Sequence, residues 1–251
     1  MSGLRGRRAF GVARRFARAW AWAWAWARAV AAVVGAVGLG VLLTACVGAP
    51  ASEAPDASLP ADAPVVAFYG DSYTRGTGAS SPERRWSSII AADRGWREFN
   101  PSVDGLGFVN NRGLGAAPSD LVEAIVAHDP APDLVIVTMG LNDNFSMPDR
   151  AADIRAAIDA DLSRLAAELP DARLIVVEPF WYTDERPESV EQIIGWVHEG
   201  ADRVGADWIA GASRWIEGHP EWMAGDGLHP NDEGYAEMAR RMDAELRDLG
   251  L

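Results

Sequence analysis

Three short polar blocks in this chain carry residues that could do chemistry together: Gly70-Asp71-Ser72, Gly140-Leu141-Asn142-Asp143 and Asp226-Gly227-Leu228-His229-Pro230. A Ser hydroxyl is a poor nucleophile until a base takes its proton, so Ser72 gains meaning only if a His can reach it. Four His are available: His128, His198, His219 and His229. The first two fall within or at the ends of predicted helices, where solvent-facing or capping roles are the ordinary expectation. His219 stands before Pro220 in a loop, with no acid at a telling spacing. His229 lies three residues after Asp226 in a Gly-rich turn ahead of a predicted terminal helix. A bend there would return Asp226 to the imidazole, fixing its tautomer and stabilising the imidazolium that forms when Ser72 is deprotonated. Pro230 suits the first turn of the helix that follows.

The elements that must position these blocks are legible as apolar runs. Val65–Tyr69, Leu134–Met139 and Leu174–Val177 read as buried strands and Trp208-Ile209 as a shorter one. Helical faces fall on Trp86, Ile89 and Ile90, on Leu121, Ile125 and Val126, on Ile193, Ile194 and Val197, and on Tyr235–Leu249. Between Ala151 and Leu169, the spacing of Ile154, Ile158, Leu162 and Leu165 marks an amphipathic helix. Strands this apolar, alternating with helices, predict a three-layer α/β/α sandwich with a mainly parallel central sheet. In such sheets ligands bind beyond the carboxyl ends of the strands. That is where Gly70-Asp71-Ser72 and Gly140-Leu141-Asn142-Asp143 fall, each just after a predicted strand. Gly70 permits a tight turn, and Ser72 then opens a helix whose free N–H groups favour negative charge.

The three ordered blocks resemble the SGNH, or GDSL-type, serine hydrolase family, and the likeness spans residues 64–251. The family also has a Gly block between the first two. In "FVNNRGLGAAPSD" Gly115 matches it best, with Gly113 the lesser choice. Tyr73 stands where some members carry Leu. The resemblance implies a flavodoxin-like α/β/α fold and ester hydrolysis through an acyl-enzyme; no cofactor is expected, and no metal, since no His/Asp/Glu cluster has ligand spacing apart from Asp226 and His229. It implies Ser72 as nucleophile, His229 as base and then acid, and Asp226 as its orienting carboxylate. It further implies an oxyanion hole made by the Ser72 and Gly115 backbone N–H groups and the Asn142 side chain. Asp71 and Asp143 are expected to bond local backbone N–H groups. Phe180, Trp181, Tyr182, Trp215 and Trp222 lie close in sequence to the site blocks. They could line an acyl or sugar pocket, and packing under loops explains them equally well. The substrate reading therefore stays between glycan deacetylation and cleavage of short-chain or lipid esters.

Charge is divided along the chain. Seven Arg and no acid precede Cys46, which leaves 16 basic against 36 acidic residues beyond it. So acidic a body repels phosphate backbones and argues against nucleic-acid binding. Arg5, Arg7, Arg8, Arg14, Arg15 and Arg18 precede an apolar run from Ala29 to Ala45, the order of an export signal. The run ends in Leu43-Thr44-Ala45-Cys46, which resembles a bacterial lipobox, with Cys46 the site of lipid attachment and the only Cys in the chain. The expected organisation is a lipoprotein-type signal peptide over 1–45, a flexible tether over 46–63 and the hydrolase domain over 64–251. The body would then be extracytoplasmic and held at the membrane by lipid. An uncleaved transmembrane anchor is the alternative, and Arg7-Arg8 hints at twin-arginine export. Two rival functions remain: a surface binding protein of the same fold without turnover, and a flavodoxin-like nucleotide binder using "GDSYTRGTG", which leaves the His229 block unexplained.

Overall fold

In the computed structural model, residues 59–113 and 120–251 are described. Five parallel strands form the sheet: β1 (Val65–Tyr69), β2 (Arg97–Phe99), β3 (Leu134–Val137), β4 (Arg173–Val177) and β5 (Asp207–Ile209), in the order β2-β1-β3-β4-β5. Register is set by Val65 against Arg97, Val66 against Leu134, Leu134 against Arg173 and Ile175 against Asp207. Side chains alternate along each strand, so one sequence run feeds two cores. Val66 and Phe68 of β1 join Leu134 and Ile136 of β3 on one face, under α2 (Trp86–Arg94) and α6 (Asp232–Asp248). Ala67 and Tyr69 join Val135 and Val137 on the other, under α3 (Leu121–Val126), α4 (Ala151–Glu168) and α5 (Glu188–Val204). The expected α/β/α sandwich is therefore present, and both sheet faces are covered.

The apolar strands are found where expected, with β3 ending two residues early at Val137. The missed element is β2. Arg97-Glu98-Phe99 lies at an edge, half-buried, and its charges suit an edge rather than a core. The terminal helix starts at Asp232 rather than Tyr235. Its cap is Asn231, whose side chain accepts from the Glu233 and Gly234 N–H groups, so Pro230 lies before the helix and not in its first turn. Near the start of α6 the Tyr235 phenol donates to the Thr77 carbonyl at 2.7 Å.

One polar group interrupts the apolar stripe of α4. Asp161 is buried, accepts from the Tyr69 phenol and pairs with Arg112 at 2.7 Å. Burial raises the pKa of both Asp161 and Tyr69. Among the described residues, no helix is long and apolar enough to cross a membrane. Residues 1–45, most of the expected tether, Cys46 and Gly115 lie outside the described residues.

Candidate active site

The strand order reverses between β1 and β3, and the crevice beyond their carboxyl ends is the place where α/β sheets hold ligands. β1 delivers Gly70-Asp71-Ser72 there. Ser72 opens α1 (Ser72–Arg75), capped by the Asp71 carboxylate accepting from the Tyr73 N–H at 3.0 Å. Gly70 is needed for closeness. A Cβ built on it would come within 2.5 Å of Thr138 Oγ1, which shares a 2.6 Å hydrogen bond with Thr74 Oγ1. Ser72 is 5% exposed. Its N–H, at the first position of the helix, has no intrahelical partner.

β3 delivers the second block through Gly140, whose φ of 139° is one that L side chains avoid. A 3-10 turn, Leu141–Ser146, follows. The Asn142 amide nitrogen donates to Asp71 Oδ2 at 3.1 Å and to the Leu106 carbonyl at 2.9 Å. Asp71 thus does more than cap its own helix, because it also holds the Asn142 amide. Burial is the main cause that raises its pKa from 3.8 to about 7, with nearby Asp143 adding to the shift and the Tyr73 N–H opposing it. Asp143 does bond backbone, but distant backbone: it accepts from the Phe108, Val109 and Asn110 N–H groups at 2.7, 2.8 and 3.1 Å. Those three bonds pin the segment that runs on toward Gly113. Gly113 itself is exposed, with φ 82°.

The third block forms the bend expected of it. Asp226 Oδ2 lies 2.7 Å from His229 Nδ1, and its Oδ1 accepts from the Leu228 and His229 N–H groups at 2.9 and 3.0 Å. Facing a carboxylate, Nδ1 carries the proton, which leaves the Nε2 lone pair free to act as a base. The His229 N–H, then the imidazole, then the Leu228 N–H hold the Asp226 pKa down to about 2, so the acid stays ionised at any working pH. The His229 side chain is 14% exposed and that of Asp226 49%.

The nucleophile segment and the His segment are tied across the crevice. The Tyr73 phenol donates to the Leu228 carbonyl at 2.6 Å, and Ser80 bonds Asp232 through its N–H at 2.7 Å and its hydroxyl at 2.6 Å. A Cβ on Gly78 would run into the Pro230 carbonyl and lie 3.1 Å from His229 Cβ. Ser72 and Asn142 therefore lie beyond the carboxyl ends of β1 and β3, and the turn that pairs Asp226 with His229 is tied to the helix that Ser72 opens.

The remaining His take local roles. His128 Nδ1 lies 2.7 Å from the Pro130 carbonyl, and His198 stacks on Trp208. His219 does have an acid after all, Glu221 at 2.7 Å, and its ring stacks on Trp222. Of the aromatics near the site, Phe180, Trp181 and Trp215 are 2%, 3% and 6% exposed and belong to the core, so packing accounts for them. Tyr182 is half-buried and lines a cavity of about 690 Å³ with Trp181, Thr183, Glu185, Arg186 and Pro187. Asp71 bonds the local Tyr73 N–H as expected, and what sequence reasoning missed is its bond to the Asn142 amide and the bond of the Tyr73 phenol to Leu228. Tyr73 following Ser72 in place of Leu was the only signal for the second.

The profile of the GDSL-like Lipase/Acylhydrolase family matches residues 68–237. The GDSL lipase Rv0518 of Mycobacterium tuberculosis is 29% identical over 188 residues, 70% of this chain and 79% of that protein. Among solved structures, a family two carbohydrate esterase from Clostridium thermocellum in complex with cellohexaose superposes with a TM-score of 0.59 and 18% identity, over 74% of this chain and 65% of that one. The psychrotrophic esterase EstA from Pseudoalteromonas sp., inhibited by monoethylphosphonate, gives 0.55 and 16% over 74% and 97%. With the profile covering all three polar blocks, the chain belongs to the GDSL-like lipase/acylhydrolase family and is a carboxylic ester hydrolase.

Proposed function

We propose that this ester hydrolase works through a Ser72-His229-Asp226 triad and an acyl-enzyme. The observation that carries the reading is the Asp226-His229 pair at 2.7 Å, on a turn tied to the helix that Ser72 opens. Ser72 Oγ attacks the ester carbonyl carbon as its proton passes to His229 Nε2. The imidazolium, held by ionised Asp226, then protonates the departing alcohol. Water attacks the acyl-Ser72 ester by the same route in reverse. The tetrahedral oxyanion is met by the Ser72 N–H, by the Gly115 N–H and by the Asn142 amide. In the free protein Asn142 spends its two N–H bonds on Asp71 and Leu106. An arriving oxyanion shares or replaces the longer one, to Asp71.

The substrate is an ester small enough for a crevice at the β1/β3 edge. A sugar-borne ester is the form favoured by the carbohydrate esterases among structures of the same fold. The chain is exported by residues 1–45 and tethered through 46–63. It is held at the extracytoplasmic membrane face by lipid on Cys46; the sequence order of Arg-rich stretch, apolar run and Leu43-Thr44-Ala45-Cys46 supports this.

The test is exposure of the full-length protein, in mild detergent, to a serine-directed fluorophosphonate, followed by peptide mapping. A single adduct on Ser72, absent from Ser72→Ala and His229→Ala, is the expected result. A folded protein that takes no adduct would remove the triad and favour a binding protein of the same fold.

A further inference from the structure

Resting on the triad reading, we infer that Tyr73 is a positioning residue for His229: its phenol clamps the peptide unit that carries the imidazole. Tyr73 is fully buried, and every part of it except the hydroxyl is spoken for. Its N–H donates to Asp71 Oδ1 at 3.0 Å, and its carbonyl accepts from Trp86 Nε1 at 3.1 Å. Its ring stacks on Phe180 at 5.9 Å, and Phe180 in turn contacts Trp86 and Trp215 at 6.0 and 5.8 Å. The hydroxyl is thus presented from a fixed ring. Its acceptor is the Leu228 carbonyl at 2.6 Å, 155 residues away in sequence.

The choice of carbonyl matters. The Leu228 C=O and the His229 N–H belong to the same planar peptide unit. The N–H end donates to Asp226 Oδ1 at 3.0 Å while the C=O end accepts from Tyr73. One plane is gripped at both ends, by the triad acid on one side and by the neighbour of the nucleophile on the other. The orientation of that plane sets the direction in which His229 leaves the backbone. The Asp226-His229 bond fixes the imidazole relative to its own turn, and Tyr73 fixes the turn relative to Ser72. Burial also keeps the phenol pKa well above its usual value, so the group remains a donor throughout the working range. A Leu in this position could make no such bond.

Catalytic groups tolerate only about 10–20° of misorientation, and a displacement of about 1 Å can cost on the order of 100-fold in rate. The decisive variant is Tyr73→Phe, which keeps the ring and its packing and deletes one oxygen. Tyr235→Phe is the matched control: it loses an equally buried phenol's bond to a backbone carbonyl, Thr77 at 2.7 Å, which is not part of the 226–229 turn. With a chromogenic short-chain ester, Tyr73→Phe is expected to lower kcat roughly 10- to 100-fold with KM changed less than about 2-fold. Its fluorophosphonate labelling of Ser72 should slow in parallel. Tyr235→Phe should lower Tm by a similar amount and leave kcat within about 2-fold.

Wild-type kcat and labelling rate in Tyr73→Phe would overturn the proposal. So would equal losses of kcat in both variants, which would reduce Tyr73 to a stability role. A rise in KM at constant kcat would overturn it too, by moving Tyr73 to substrate binding. Absence of labelling in the wild-type protein would sink the triad itself, a failure distinct from labelled wild type with an equally fast Tyr73→Phe.

Discussion

Replacing Asp71 with Asn should change how the stability of this protein responds to pH, and the size of the change follows from burial. The Asp71 carboxyl is 1% exposed, and burial raises its pKa from 3.8 to about 7. The unfolded chain releases this proton near pH 4, and the folded chain keeps it to about pH 7, so between those values the folded state binds more protons. Stability from this group is therefore complete below about pH 4, is lost as pH rises to about 7, and is level above that. About three units at about 1.4 kcal/mol each gives about 4 kcal/mol, of which roughly 2.5 falls between pH 5 and pH 8. Asp71→Asn removes the titration. The amide can still accept from the Tyr73 N–H, and its poorer match to the Asn142 amide is a cost independent of pH. The assay is urea unfolding of both proteins at pH 5 and pH 8. Carboxylates remote from Asp71 titrate alike in the two proteins and cancel from the difference, which leaves only Asp71 and its close neighbour Asp143. Relative to wild type, the variant should gain about 2.5 kcal/mol between pH 5 and pH 8. A difference that stays constant would show that Asp71 is ionised in the fold at pH 5 and that its burial is compensated.

Asn142→Ala should lower kcat about 10²- to 10³-fold while leaving Ser72 open to a reactive fluorophosphonate, as measured by steady-state kinetics beside labelling; an unchanged kcat would take Asn142 out of the oxyanion hole. Gly70→Ala would drive a methyl into Thr138 Oγ1 and Thr74, so a loss of about 1–3 kcal/mol is expected by thermal or urea melt, and full stability would mean that the β1 turn has room to spare. Cys46→Ser should abolish incorporation of radiolabelled fatty acid and release the protein from the membrane fraction; continued labelling would place the lipid elsewhere.

What the sequence made legible was whatever depends on runs and short spacings. The four apolar strands and the stripe of α4 could be read because burial on both sides of a sheet demands apolar residues in succession, and burial on one side of a helix demands a period near 3.6. The Asp226-His229 pair could be read because three residues suffice to close the turn. Arg97-Glu98-Phe99 stayed hidden because an edge strand is half-solvated and carries no such pattern. The Asp71-Asn142, Asp143-Phe108 and Tyr73-Leu228 bonds stayed hidden for another reason: each joins blocks that only the sheet order brings together. The His219-Glu221 contact shows the opposite hazard, since a short spacing there also gives a close His-acid pair, but one whose imidazole is stacked on half-buried Trp222.

Ser72 follows the first strand of the domain, and His229 precedes its last helix. On the triad reading, a chain made from its N-terminus exposes Ser72 early but cannot arm it until the 226–229 turn has been synthesised, folded back across 155 residues and hooked to Tyr73. Synthesis of that turn and onset of reactivity are thereby coupled. A truncation or proteolytic cut just before residue 226 leaves all five strands but removes α6 from one of the two cores and takes His229 with it, so on the triad reading such a fragment would carry the hydroxyl as an ordinary serine.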